Sequence, residues 1–179
     1  MLNEQQRKTL LRVARESVRA AAAGEPYAPT CDDPNLREPG AAFVTLRNRG
    51  ELRGCIGVTE SEAPLIETVA RMARAAARDD PRFIPVQPSE VPSLTVEISV
   101  LSAPEPVANT NEIEVGTHGL MIQRGTQRGL LLPQVPVEWG WDREQFLDQT
   151  CVKAGLPPGC WRRDARIYAF TAEVFGEED

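Results

Sequence analysis

Long apolar stretches are missing from this sequence of 179 residues. No stretch approaches the roughly 18 apolar residues that a membrane-spanning helix needs. The first residues are charged, with Glu4, Arg7 and Lys8, and therefore lack the apolar segment of a secretory signal. Together with an ordinary globular composition of 41% apolar and 26% charged residues, these features predict a cytoplasmic protein without membrane contact.

Basic residues are too few for a surface built mainly to bind nucleic acid. The 20 Lys and Arg residues are outnumbered by 26 Asp and Glu, which gives a formal net charge of −6 and a pI near 5.0. Nucleic-acid binding relies on local positive charge, often interleaved with aromatic residues, and the sequence shows no such interleaving. Nucleic acid is therefore not the expected partner, and a nucleic-acid-binding module is retained only as an alternative.

Cysteine and histidine are also scarce, with four cysteines and a single histidine. The thiols form no C-x-x-C pair and have no regular spacing, which indicates neither a zinc ribbon nor a disulfide framework: Cys31, Cys55, Cys151 and Cys160. We expect them to be reduced, with Cys31 and Cys160 incidental. No metal site is predicted, since ligand spacing is absent, and no cofactor is identified.

Hydrophobic periodicity predicts a mixed fold. Apolar residues recur at helical spacing after Asn3 and after Asp142, whereas they alternate with polar residues over 94–100. The tripeptide Asn48-Arg49-Gly50 separates two apolar-rich stretches and favours a hairpin. Since no βαβ repeat with a phosphate fingerprint is present, the prediction is an α+β fold with an antiparallel sheet flanked by helices.

The length fits a single domain over residues 1–179, organised as two lobes. Residues 102–111 are rich in Pro and Asn and break the periodic pattern, so they predict a crossing between the lobes. We expect a larger lobe of about residues 1–103 and 136–179, a smaller lobe of about residues 112–135, and a cleft between them.

The stretch Leu52–Gly57, with the sequence LRGCIG, is an unusual predicted strand because it contains two glycines, a thiol and a guanidinium. Side chains alternate along a strand, so Arg53 and Cys55 share one face. A neighbouring guanidinium favours the reactive thiolate, and glycines permit close approach of a ligand. The alternative is a packing motif in which Gly54 and Gly57 allow protein segments to approach each other.

Three further residues have both a structural and a functional interpretation. Glu97 lies on the polar side of its predicted strand, where it either offsets an arginine or shares a polar face with Cys55. His118 is the single histidine and lies between Gly116 and Gly119, so it is either a structural hydrogen-bonding group or an accessible base. Cys151 lies on an apolar helix face, which is typical of a core residue.

Five collinear motifs resemble the AMMECR domain family and span most of the chain: Leu52–Gly57; Asp80–Phe83; Val115-Gly116 with His118–Leu120; Leu132–Val135 with Gly140–Asp142; and Cys151 with Lys153–Leu156. The resemblance implies the family's fold and a functional surface, but no particular reaction. It also implies Memo-like and radical-SAM proteins as candidate partners, since relatives lie beside them in genomes.

These observations together predict a site in the cleft that binds a small anionic ligand or modifies a substrate. The predicted catalytic residues are Cys55, His118 and Glu97. The predicted ligand-binding residues are Arg53, Gly54, Gly57, Arg82, Gln134 and Cys151. The alternative is a non-catalytic regulatory module that uses the same residues only for binding.

Overall fold

The computed structural model describes residues 1–177 and divides into two compact units. The first contains Met1–Leu101 and the C-terminal residues from Glu173, and the second is Ser102–Ala172. Each unit has its own cluster of buried apolar side chains. The paired strands are antiparallel and helices accompany them, so the predicted α+β class is confirmed.

The first unit is a helical layer on an antiparallel sheet. Its elements are, in chain order, α1 (Glu4–Ala23), α2 (Pro34–Arg37), β1 (Ala41–Asn48), β2 (Glu51–Gly57), α3 (Leu65–Arg78), a 3-10 segment (Pro88–Ser93) and β3 (Leu94–Leu101). Strand β1 lies between β2 and β3 and pairs with both. The predicted hairpin is therefore present, and its turn contains Arg49 at a positive φ of 53°.

Helix α1 begins and ends where the sequence predicts. The side chain of Asn3 accepts the Gln6 N–H, and the Gln6 side chain in turn accepts the Asn3 N–H, which together form a capping box. Gly24 ends the helix in the left-handed region, at a φ of 71°. Helices α1 and α3 contact each other and cover the apolar face of the sheet, which carries Val44 and Ile98.

The second unit combines short strands with two helices. Its elements are β4 (Glu105–Pro106), a 3-10 segment (Thr110–Glu112), β5 (His118–Arg124), β6 (Gln127–Leu131), α4 (Gln134–Trp139), α5 (Arg143–Lys153), a further 3-10 segment (Cys160–Arg162) and β7 (Arg166–Gly176). Strand β5 pairs with β6 and β7, and β4 pairs with β7. From Glu173 onward β7 belongs to the first unit, where it lies next to β3.

The division of the chain differs from the expected lobes. Helix α5 belongs to the second unit because Phe146 and Leu147 are fully buried in the same cluster as Leu120 and Ile122. A hairpin over residues 112–135 has no core of its own, and α5 supplies the apolar surface that covers it. Among residues 1–177, no helix combines the length and the apolar character needed to cross a membrane.

Two cysteines form a disulfide, so the expectation of reduced thiols is wrong for Cys151 and Cys160. The chain turns after α5, where the Leu156 N–H donates to the Cys151 carbonyl, and this turn brings the two Cα atoms to 6.2 Å. Cys160 is therefore not incidental. Cys151 is fully buried as well as oxidised, which removes it from the candidate ligand-binding residues. Cys31 and Cys55 are free thiols.

We expect Cys160→Ala to lower the free energy of unfolding by about 2–3 kcal/mol, because the disulfide closes a short loop and restricts the unfolded chain. The sequence separation of the two cysteines is 9 residues. Urea denaturation of the wild type and the variant measures this change. Cys31→Ala is the control and should shift the midpoint little, since Cys31 lies outside both buried clusters and only packs against one of them.

Thiol titration of the unfolded wild type provides an independent check. In denaturant without reductant, two thiols should react rather than four, and reductant should expose the other two. Four reactive thiols before reduction would contradict the disulfide.

Candidate functional site

Cys55 belongs to a row of polar side chains that crosses three strands of the first unit. It pairs with Thr45 of β1, and Thr45 pairs with Glu97 of β3. The Cys55 Sγ lies 3.2 Å from the Thr45 Oγ1, within hydrogen-bonding distance. Cys55 and Glu97 thus share a sheet face, as expected for strands that belong to one sheet. Two strand spacings, about 10 Å, separate their backbones, so Thr45 stands between thiol and carboxylate.

Arg53 has a partner other than the thiol. Its Nε and Nη2 donate to the two carboxylate oxygens of Glu90 at 3.1 and 3.2 Å. This side-chain hydrogen bond, followed by one from the Gln87 N–H, lowers the pKa of Glu90. Arg53 therefore fastens β2 to the 3-10 segment Pro88–Ser93, and the expected promotion of the Cys55 thiolate by Arg53 has no support in this geometry.

Asp80 is the buried anchor of the region around Cys55, although it is not among the site residues predicted from the sequence. Its Oδ2 accepts the Cys55 N–H at 3.0 Å, and its Oδ1 accepts the Arg82 N–H at 3.1 Å. The Arg82 guanidinium adds two hydrogen bonds, from Nε at 3.0 Å and from Nη2 at 2.8 Å. Asp80 is only 4% exposed.

The hydrogen bonds keep this carboxylate ionised. The bond from the Arg82 side chain is the main cause, and with the backbone amides of Cys55 and Arg82 it holds the pKa of Asp80 well below its usual range, although burial acts in the opposite direction. Arg82 remains 55% exposed in its side chain. The sequence motif Asp80-Pro81-Arg82-Phe83 could have indicated this role of Asp80. An acidic residue just after a helix and two positions before Arg favours such a turn.

The two glycines of LRGCIG make room for protein atoms rather than for a ligand. A Cβ on Gly54 would lie 2.2 Å from the carbonyl oxygen of Ala76, in the last turns of α3. A Cβ on Gly57 would lie 2.2 Å from the ring of Phe43 on the neighbouring strand. The packing interpretation is therefore the one this geometry supports for Gly54 and Gly57, in place of direct ligand binding.

His118 and Gln134 lie in the second unit, so their convergence with Cys55 and Glu97 on one cleft stays a prediction. The His118 Nδ1 accepts the Glu114 N–H at 2.9 Å, which in a neutral imidazole assigns the proton to Nε2. Gln134 is exposed and is the first residue of α4. Within residues 1–177, no three His, Cys, Asp or Glu side chains are grouped closely enough to hold a metal ion.

Comparisons with known proteins cover almost the entire chain. A family model described as AMMECR1 matches residues 11–175. A protein from Thermococcus gammatolerans is 50% identical over 94% of this chain and 89% of its own length. One from Methanothermobacter thermautotrophicus is 44% identical over 99% of this chain and 97% of its own length. The crystal structure of the uncharacterized protein PH0010 from Pyrococcus horikoshii has a TM-score of 0.81 at 46% identity, and the match covers 94% of this chain and 90% of that chain.

Asp80→Asn should lower the free energy of unfolding at pH 7 by about 1–3 kcal/mol, because it removes the charge that accepts several hydrogen bonds in a buried position. The folded-state pKa of Asp80 is depressed, so its contribution is present above the unfolded pKa of about 4 and is lost as the pH falls below it. The difference between wild type and variant should therefore shrink by about 1 kcal/mol between pH 7 and pH 3.

Urea denaturation at both pH values checks this expectation. Asp79→Asn is the matched control, since Asp79 is the exposed neighbour at the end of α3. A difference that does not depend on pH would show that the Asp80 charge is not what stabilises the turn.

Gly54→Ala should destabilise the protein by about 2–4 kcal/mol, because the added Cβ collides with backbone and not with a movable side chain. Gly176→Ala is the matched control. It also lies in a strand of the first unit, but its Cβ would meet the Val96 carbonyl oxygen at an ordinary 3.4 Å. Thermal unfolding measures both variants, and equal melting temperatures would contradict the close approach of α3 to β2.

Proposed function

The chain belongs to the AMMECR1 family, and from this premise we propose that the first unit binds a small anionic ligand between Arg82 and the Cys55 thiol. The observation that carries the proposal is the hydrogen bonding of Asp80. One buried carboxylate accepts from the backbone of Cys55 and from the side chain of Arg82. Asp80 thereby holds the Arg82 guanidinium close to Cys55, the residue that carries the nucleophilic thiol.

Arg82 supplies the recognition of the anion. Asp80 engages its Nε and Nη2, so Nη1 is the nitrogen through which the guanidinium can hold a ligand oxygen. The ring of Phe83 lies 5.4 Å from the guanidinium carbon and restricts its orientation further. Because the pair with Asp80 offsets part of the positive charge, recognition of a small carboxylate or phosphate of modest affinity is what this arrangement favours.

Cys55 supplies the chemistry, if the site acts on its ligand. It is half-buried, and the Thr45 hydroxyl at 3.2 Å can donate a hydrogen bond to the thiolate. Glu97, the third member of the row, is too distant to take the thiol proton directly. Because a hydroxyl carries one proton, Thr45 cannot donate to Glu97 while it donates to the thiolate, so we place Glu97 behind Thr45 in the proposed site as a source of negative charge and not as the base.

A non-catalytic binding module is the second candidate. The observation that favours it is the packing role of Gly54 and Gly57, which leaves Arg82 and Cys55 as the ligand contacts without the open backbone amides that an oxyanion site needs. Memo-like and radical-SAM proteins are the partners that we propose for the first, catalytic candidate.

Alkylation of the free thiols tests the site, with iodoacetate as an anionic probe and iodoacetamide as its neutral counterpart. We expect Cys55 to react faster than Cys31, and we compare the ratio of the iodoacetate rate to the iodoacetamide rate at Cys55 before and after substitution. Arg82→Gln should lower that ratio at Cys55 about 3- to 10-fold, because the cation no longer attracts the anionic reagent. Mass spectrometry of the alkylated peptides measures both cysteines in one sample.

The chain offers a matched control for this experiment. Arg37 donates to the carbonyl of Cys31 at 2.7 Å, so it stands beside the other free thiol as Arg82 stands beside Cys55. Arg37→Gln should leave the ratio at Cys55 unchanged. A Cys55 that fails to react in the folded protein, or a ratio that Arg82→Gln does not alter, would rule out the proposed site.

A further inference from the structure

A second candidate site lies entirely within the second unit, at a cavity of about 340 Å³. Its floor is apolar and includes Ile113 and Phe170, which are 2% and 3% exposed. Its polar lining includes Glu105, Glu112 and His118. The volume is at the lower end of the range of small-molecule sites, and an apolar floor with a few polar groups is their usual composition.

The charge of this cavity is negative. Two carboxylates line it, and none of the lining residues within the described chain is Lys or Arg. The nearby Arg143 is engaged elsewhere, since its Nε donates to the Ile113 carbonyl at 3.2 Å and its Nη1 to the Asn111 side chain at 2.9 Å. These bonds fix the segment that carries Glu112. A cavity lined by carboxylates attracts a cation and repels an anion.

His118 adds a requirement of its own. Its Nδ1 is occupied by the Glu114 N–H, so the neutral ring presents an Nε2–H, which is a donor and not an acceptor. A neutral imidazole does not repel a cation, but an ammonium group cannot accept its hydrogen bond. The ring therefore needs a ligand that also carries an oxygen acceptor.

The backbone of His118, which carries the ring, is held on two sides. The His118 N–H donates to the Glu114 carbonyl at 3.0 Å, and His118 pairs with Thr171 of β7. Gly119 follows at a point where a Cβ would lie 2.3 Å from the Phe170 ring, so the absence of a side chain there leaves room for the ring that lines the cavity. The position of the imidazole is thus set by backbone contacts before any ligand arrives.

We propose that this cavity binds a small organic amine with an apolar body and an oxygen acceptor. Glu105 and Glu112 bind the ammonium group, the Nε2–H of His118 donates to the oxygen, and Ile113 and Phe170 contact the apolar body. This ligand class differs in charge from the anion proposed for the Cys55 region. The two sites can therefore be tested and rejected separately.

L-Phenylalaninol is a suitable probe, because it carries an ammonium group, a hydroxyl oxygen and a phenyl ring within the available volume. N-Acetyl-L-phenylalaninol has a neutral amide in place of the ammonium group, and phenethylamine lacks the hydroxymethyl group that carries the oxygen. Isothermal titration calorimetry should show phenylalaninol binding about tenfold more tightly than the acetylated compound and about threefold more tightly than phenethylamine. Equal binding of phenylalaninol and its acetyl derivative would overturn the proposal.

The single histidine allows the contact to be observed directly, since one imidazole gives one set of ring signals. In ¹H–¹⁵N spectra, free His118 should show the Nε2–H tautomer, and its Nε2 signal should shift with phenylalaninol more than with phenethylamine. A Nδ1–H tautomer, or no response of the ring to saturating phenylalaninol, would overturn the role of His118.

Substitutions then identify the carboxylates. Glu105→Gln combined with Glu112→Gln should weaken phenylalaninol binding about tenfold and leave phenylalaninol and its acetyl derivative nearly equal in affinity. Glu138→Gln is the matched control, because Glu138 is an exposed carboxylate of α4 in the same unit that does not line the cavity. Circular dichroism confirms that each variant is folded. An effect of Glu138→Gln as large as that of the double variant would indicate general charge attraction and overturn the assignment.

Discussion

A single buried carboxylate connects the most distinctive parts of the first unit. Asp80 follows α3, accepts the N–H of Cys55 on β2, and holds the Arg82 guanidinium with both oxygens. A buried charge without such partners is costly, so the turn Asp80–Phe83 and the strand that carries Cys55 depend on each other. The same hydrogen bonds that depress the pKa of Asp80 fix the position of the cation relative to the thiol. Stability and the candidate chemistry therefore share one interaction.

Gly54 of LRGCIG completes this arrangement on the helix side of the strand. Gly54 lets the backbone of α3 approach β2, and that approach brings the end of the helix, and with it Asp80, to the Cys55 amide. A side chain at Gly54 would separate helix from strand. The unusual composition of the motif thus has one explanation on the strand face toward α3 and another on the opposite face. The glycine on the helix side serves packing, while Cys55 and Thr45 lie on the opposite, polar face.

The second unit is stabilised in a different way. Its strands are short, and α5 provides the apolar side chains, including Phe146 and Leu147, that cover β5 and β6. The disulfide between Cys151 and Cys160 then fastens the segment after α5 to that helix. The cavity of this unit borders the same core, since Ile113 belongs to the buried cluster and also lines the cavity. That cavity is lined by carboxylates and the single histidine. Its negative charge is opposite to the positive charge that Arg82 supplies near Cys55.

The sequence by itself determined the local elements and the family. Asn3 and Gly24 bound α1, Asn48-Arg49-Gly50 makes the hairpin turn, and alternation over 94–100 identifies β3, because caps, turns and periodicity act over a few neighbouring residues. The collinear motifs likewise identified the AMMECR1 family. These features need no knowledge of which distant residues meet.

Tertiary structure alone decided the partners. It joined Cys151 to Cys160, assigned α5 to the second unit, gave Arg53 to Glu90, and made Asp80 the residue that holds Arg82 beside Cys55. Each of these outcomes depends on how elements pack, and the side-chain types alone are compatible with several pairings. A guanidinium near a thiol in sequence binds whichever carboxylate the fold brings closest, because hydrogen bonding and charge pairing act over distances of a few ångströms.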